Sequence, residues 1–282
     1  HDSCWSKLTP TQLTQQKVVA PESWVEGCFE SSDQEKDEEP DVDSLNNIDK
    51  LGAGKYRLEG VIISFKTEEG MFPEDWQKDS VNTKAFRLDR SLYDFSLDVL
   101  IEAFSKYPAG LIKENLDKIY VLGELQFFGL EYGGTYSYPK QAVYLQNDNY
   151  KEDNLERIFH EEFSSILLSN QRVEKTLLQA KWEEVTPEGF SYTGISREVF
   201  TRGEASEEYD RSLLKKGFIN QYAQSNFEND FNAIAKKIFC PDSRFWGVVE
   251  NYPKIKRKVE LLISFYNELD SKFTEEYFRK LN

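Results

Sequence analysis

The sequence predicts an α+β fold: a small mixed sheet in the first half, a long half-buried helix near the middle, and a mainly helical C-terminal half. Three observations carry this reading. Runs rich in β-branched and aromatic residues, at 56–65, 118–123 and 142–145, all precede residue 150. Apolar residues then recur at helical spacing in 157–168, 230–239 and 254–269. The 282 residues, 39% hydrophobic and 14% aromatic, suffice for a large core in one large domain or two smaller ones.

The chain is read in two parts, an N-terminal arm with an acidic linker (1–53) and a domain (54–282). Residues 1–28 mix Trp5, Val18, Val19, Pro21 and Trp24 and are expected to pack as an irregular arm. Residues 31–50, rich in Ser, Asp, Glu and Asn around Pro40, read as a solvated linker. They lack the Asp-x-Asp-x-Asp-Gly spacing of a calcium loop. The run at 56–65 is expected to be one strand. Residues 91–106 follow as a helix, with Leu92, Phe95, Leu97, Leu100, Ile101 and Phe104 inward and Pro108-Ala-Gly110 ending it. The strand at 118–123, a turn at Gly133-Gly134 and the strand at 142–145 lead into the central helix. Residues 174–211, with Trp182, Phe190, Tyr192 and Gly194, read as an ordered insertion with little regular structure. Ser225-Asn-Phe-Glu228 has the spacing of a capping box, which gives Glu228 a structural role at the start of a helix. Phe231, Ile234, Ile238 and Phe239 form that helix's buried stripe, and Pro241 stops it. A helical turn at 245–249, a long helix at 254–269 with Ile255, Val259, Leu262 and Tyr266 inward, and a short helix around Tyr277 and Phe278 complete the chain.

A net charge of −15 argues against nucleic acid as a partner and against electrostatic docking to anionic membranes. No apolar run is long enough for a transmembrane segment. The start at His1 rather than Met suggests a processed or trimmed product. Three cysteines do not make a disulfide scaffold. Cys4 and Cys28 either pair and staple the arm or stay reduced, and Cys240 is left free in the core. There is no Cys-x-x-Cys, no Gly-x-Ser-x-Gly and no phosphate-binding glycine loop.

The chemistry concentrates in the central helix. Leu155, Phe159, Phe163, Ile166 and Leu167 share a face, and Glu162 lies on its flank beside Ile158 and Ile166. An acid pressed against an apolar flank is where a general base is kept. Glu161 and Ser165 lie one turn apart on the adjoining face, and His160 is the only interior histidine. The segment is similar to a degenerate His-Glu-x-x-His helix, in which two imidazoles hold zinc and the Glu activates its water. In one register His160 and Glu161 open the motif and Ser164 replaces the second histidine. In the other, Glu162 is the base, with Glu161 and Ser165 at the ligand positions. The apolar arc favours the second.

Ile158-Phe-His-x-Glu-Phe-Ser-x-Ile-Leu167, with Glu124-Leu-Gln-Phe-Phe-Gly and Gly133-Gly-Thr135 before it and Gly217-Phe-Ile-Asn-Gln-Tyr-Ala-Gln-Ser225 and Asp230-Phe231 after it, resembles the bacterial putative zinc-binding metallopeptidase family. The resemblance covers residues 91–280, and motif order and spacing carry it. It implies a zincin-like fold, in which an edge strand above the helix takes up extended polypeptide by strand addition, with 142–145 as the candidate. It implies an extracytoplasmic location (secreted, periplasmic or surface-anchored), with a lipid anchor in the precursor of some members and a link to nutrient uptake. It also implies Glu162 as base, Tyr222 as donor to an oxyanion, and metal positions at Glu161, Ser165 and a downstream acid that aligns with Asn229 or, one residue earlier, Glu228. His160 matches a histidine that precedes the motif.

The departures fall on the metal. One interior histidine cannot make a two-histidine site, and serine is a poor zinc ligand. A set of His160, Glu161 and Glu228 or Asp230 would be harder and favour magnesium, calcium or manganese. The expected function is therefore that of a metallopeptidase-like pseudoenzyme, a non-catalytic binding or structural protein without a cofactor, with peptide or polypeptide in its cleft. The alternative is an active metal-dependent peptidase (hydrolase) with zinc or another metal on non-standard ligands.

Overall fold

The computed structural model describes residues 48–147, 152–194 and 208–281. The arm, most of the acidic linker, Cys4 and Cys28 lie outside the described residues. The architecture is mixed α and β, as the sequence predicts. Eight strands among the described residues form one mixed sheet: β1 (Ile48–Gly52), β2 (Lys55–Leu58), β3 (Val61–Ser64), β4 (Lys84–Arg87), β5 (Lys118–Phe127), β6 (Leu130–Glu131), β7 (Gly134–Ser137) and β8 (Ala142–Gln146). The main order is β1-β2-β3-β5-β8-β7, with β4 and β6 also paired to the ten-residue β5. β3, β5 and β8 run parallel, and β7 lies antiparallel to β8 at the edge.

Several sequence expectations are corrected here. The run at 56–65 is a hairpin, not one strand. Glu59 and Gly60 both take positive φ, 47° and 89°, as the central residues of a tight turn with Leu58 opposite Val61. Ile48–Gly52, expected at the end of a linker, is a strand paired with β2. Gly134 is the first residue of a strand rather than part of a turn, and the edge strand is β7. The segment 142–145 lies inside the sheet, between β5 and β7.

Alternation divides the sheet's two faces. Ile119 and Val121 of β5 and Val143 and Leu145 of β8 face the main core. Tyr120, Leu122, Ala142 and Tyr144 face a smaller cluster with Met71, Phe72 and Phe127. The parallel register sets Tyr120 beside Tyr144, and their rings stack 5.2 Å apart.

The helices pack on the main-core face. They are α1 (Tyr93–Ser105), α2 (Leu111–Asn115), α3 (Glu152–Asn170), α4 (Arg172–Glu183), α5 (Arg211–Lys216), α6 (Phe227–Phe239), α7 (Phe245–Asn251), α8 (Pro253–Leu269) and α9 (Glu275–Arg279). α4 and the start of α5 correct the expectation of little regular structure at 174–211. The expected capping box is also corrected. α6 is capped by Asn226, whose Oδ1 accepts the Asn229 amide at 2.7 Å, while Ser225 Oγ donates to the Tyr222 carbonyl. Both residues are of cap type, and the register differs by one. No helix among the described residues is long and apolar enough to cross a membrane.

Candidate functional site

α3 is the longest helix among the described residues, and its faces meet different surroundings. Leu155, Phe159, Phe163, Ile166 and Leu167 are buried in the main core, as their spacing predicts. Ile158 and Glu162 lie beneath the edge strand. A β-carbon at Gly134 would stand 2.3 Å from Ile158 Cγ2 and 3.1 Å from Glu162 Cγ and Oε1. Glycine is therefore what lets β7 run directly across this acid. Burial pushes the Glu162 carboxyl well above its ordinary range, Glu161 and Glu228 add to the rise, and Lys236 opposes it.

α6 crosses α3 and closes the site from the other side. Lys236, 4% exposed, sets its Nζ 2.9 Å from Glu161 Oε2. Asn232 Nδ2 donates to Ser165 Oγ at 2.7 Å. Its buried Oδ1 finds no partner among the described residues. Glu228 pairs with Lys175 of α4 at 3.1 Å. Tyr136 of β7 completes the group. Burial raises its phenol, and Glu228 and Glu162 lie close enough to raise it further. The Tyr136 hydroxyl stands 3.5 Å from Ser169 Oγ.

Glu161, Glu162, Ser165 and Glu228 thus gather in one polar pocket under β7. His160, Asp230 and Tyr222 are arranged otherwise. His160 is fully buried on another face of α3. Its Nδ1 is 2.8 Å from the Tyr107 hydroxyl, its Nε2 is 3.3 Å from Glu156 Oε1, and its ring stacks on Phe239 at 4.6 Å. Burial keeps this imidazole below its ordinary value despite Glu156. Asp230 is a structural anion. Its Oδ2 accepts from Lys258 at 2.6 Å and from Trp182 Nε1 and the Tyr192 hydroxyl at 2.9 Å each. Tyr222 begins the 3-10 turn before α6, where its carbonyl accepts from Ser225.

The donor set of the pocket does not fit the zinc site that the resemblance implies. The first ligand position carries a carboxylate held by an ammonium, and the second carries a neutral hydroxyl held by an amide. Sequence reasoning missed Tyr136, Asn232 and Lys236. The last two had a signal: Asn229, Asn232 and Lys236 recur at spacings of three and four, a polar line along a helix buried nearly all round.

No family model and no curated protein matches the chain. Among solved structures it is similar to a "putative zinc-binding metallo-peptidase" from Bacteroides caccae, at 13% identity, with 78% of this chain and 82% of that chain covered and a TM-score of 0.49.

Proposed function

We propose that this chain is a metallopeptidase-like protein that binds polypeptide without cleaving it. The observation that carries the reading is the Lys236–Glu161 ion pair at 2.9 Å in the pocket under β7. A lysine ammonium there supplies fixed positive charge among Glu161, Glu162 and Glu228, the charge a bound cation would otherwise supply. It cannot bind and activate water as a metal does. Glu162 is crowded by Gly134, and burial raises its carboxyl, so β7 restricts the approach of a substrate water to it. The scaffold retains an edge strand over the pocket: among the described strands β7 pairs with β8 alone, so its other edge is the candidate for an extended partner strand. The family resemblance extends the proposal to a location outside the cytoplasm, tested by fractionating cells that express the full-length gene.

The test has two arms. Fluorescently labelled unfolded casein is expected to bind the purified protein and remain intact over hours. Combining Glu161→His, Ser165→His and Lys236→Ala is expected to create a stoichiometric zinc site with Glu228 as third protein ligand. Casein cleavage by the wild type that Glu162→Ala abolishes would overturn the reading and establish the active-peptidase alternative, which the convergence of three carboxyl groups favours.

A further inference from the structure

We propose that Glu156, His160 and Cys240 form a transition-metal site of zinc type, separate from the pocket under β7. The three residues lie on a face of α3 away from Glu162 and at the C-terminal cap of α6. One ligand atom from each lies within 4.8 Å of the other two. Ligand atoms bound tetrahedrally at about 2.0–2.3 Å from zinc stand roughly 3.3–3.8 Å apart. His160 Nε2 and Glu156 Oε1, 3.3 Å apart, already meet that spacing. The sulfur needs a shift on the order of 1 Å, within the reach of one side-chain rotation. Nitrogen, sulfur and oxygen together select zinc or cobalt over magnesium or calcium.

The surroundings fix the imidazole as a ligand requires. The Tyr107 hydroxyl lies 2.8 Å from Nδ1, and Phe239 stacks on the ring, so Nε2 faces Glu156. Glu156 is 17% exposed and Cys240 is partly exposed, so neither ligand is sealed in the core. The place already stabilises a cation. Lys106 Nζ lies 2.7 Å from Glu156 Oε1 and donates to the Phe239 carbonyl at 3.1 Å. An entering metal takes over that oxygen and turns the ammonium towards solvent.

The protons balance. The Cys240 S–H bond breaks, its proton passes to solvent, and the thiolate forms the S–metal bond. His160 stays neutral overall. The Nε2 proton that faces Glu156 is released to solvent, Nδ1 takes one up from solvent and donates it to the Tyr107 oxygen, and the freed Nε2 lone pair goes to the metal.

Cobalt(II) titration of the reduced full chain tests this. One equivalent is expected to produce the near-ultraviolet thiolate-to-cobalt charge-transfer band, with no band in Cys240→Ser. Glu156→Gln, which keeps the thiol, is expected to weaken cobalt binding by on the order of tenfold or more. Lys106→Met, which removes the competing charge, is expected to tighten it by about tenfold. A wild type without the band, or a band that survives in Cys240→Ser and so arises from Cys4 or Cys28, would overturn the proposal.

Discussion

Lys236 and Glu161, 75 residues apart in sequence, form an ion pair that ties α6 to α3 inside the polar pocket. Both side chains are largely shielded from water, so each needs the other far more than a surface pair would. Lys236→Ala is expected to destabilise the protein by about 3–5 kcal/mol. Lys236→Met with Glu161→Gln should recover most of that loss. Urea unfolding of Lys236→Ala and of the double variant checks both statements.

Glu162 has the opposite relation to its charge. Its folded pKa is raised above the ordinary 4.5, so its contribution to stability is complete below 4.5. The contribution is lost as pH rises through the folded value. Glu162→Gln removes that penalty. The variant is expected to be more stable than wild type above pH 4.5, with a gap that widens as pH rises and closes in acid. Melting temperatures across a pH series show whether the sign is right.

Acid acts on the Glu156 cluster. Burial pushes Glu156 up, but His160 and Lys106 outweigh it and hold the carboxyl at about 2 against an ordinary 4.5. Its stabilisation is therefore present above 4.5 and fades as pH falls towards about 2. It is worth no more than about 3 kcal/mol, given partial exposure. His160, kept neutral by burial, adds loss from 6.5 downward, because the unfolded chain takes up that proton first. Glu156→Gln should flatten the acid limb of a stability–pH curve.

Asp230 and Lys258 are both fully buried, with the ammonium 4.3 Å from the Phe218 ring centre. Burial pushes the carboxyl up and the ammonium down, and the pair's attraction opposes both shifts. Asp230→Asn keeps the shape and removes the charge. It is expected to lose about 3–5 kcal/mol, much of it regained with Lys258→Met. Guanidinium unfolding of the single and double variants measures the difference.

The sequence reveals periodic features well and pairings poorly. The buried arc of α3, the stripes of α6 and α8, and the strands at 118 and 142 follow from spacing alone. The Glu59-Gly60 turn was hidden because Glu is seldom chosen where φ is positive, so the hairpin read as one run. α4 was hidden by its polar surface, with Leu177 exposed and Trp182 buried only through tertiary contact. In the pocket, Glu161, Glu162 and Ser165 were legible from one motif, and Glu228 only from a separate downstream segment that read first as a cap. Lys236 was not, because its partner lies on another helix. Asp230 looked like a ligand only while Lys258, 28 residues later, had no position. His160 is hydrogen-bonded to Tyr107, a partner 53 residues away that spacing cannot reveal.

The aromatic cluster around Tyr107 is completed by residues 272–278. Phe273 meets Tyr107 edge-on, Phe278 meets Phe239, Lys272 donates to the Tyr107 carbonyl, and the Tyr277 hydroxyl donates to that of Lys106. During synthesis, the wall behind His160 therefore stays open until residues 272–278 clear the ribosome. A chain cut short before residue 272 would emerge with that wall bare, as a target for chaperones and proteases.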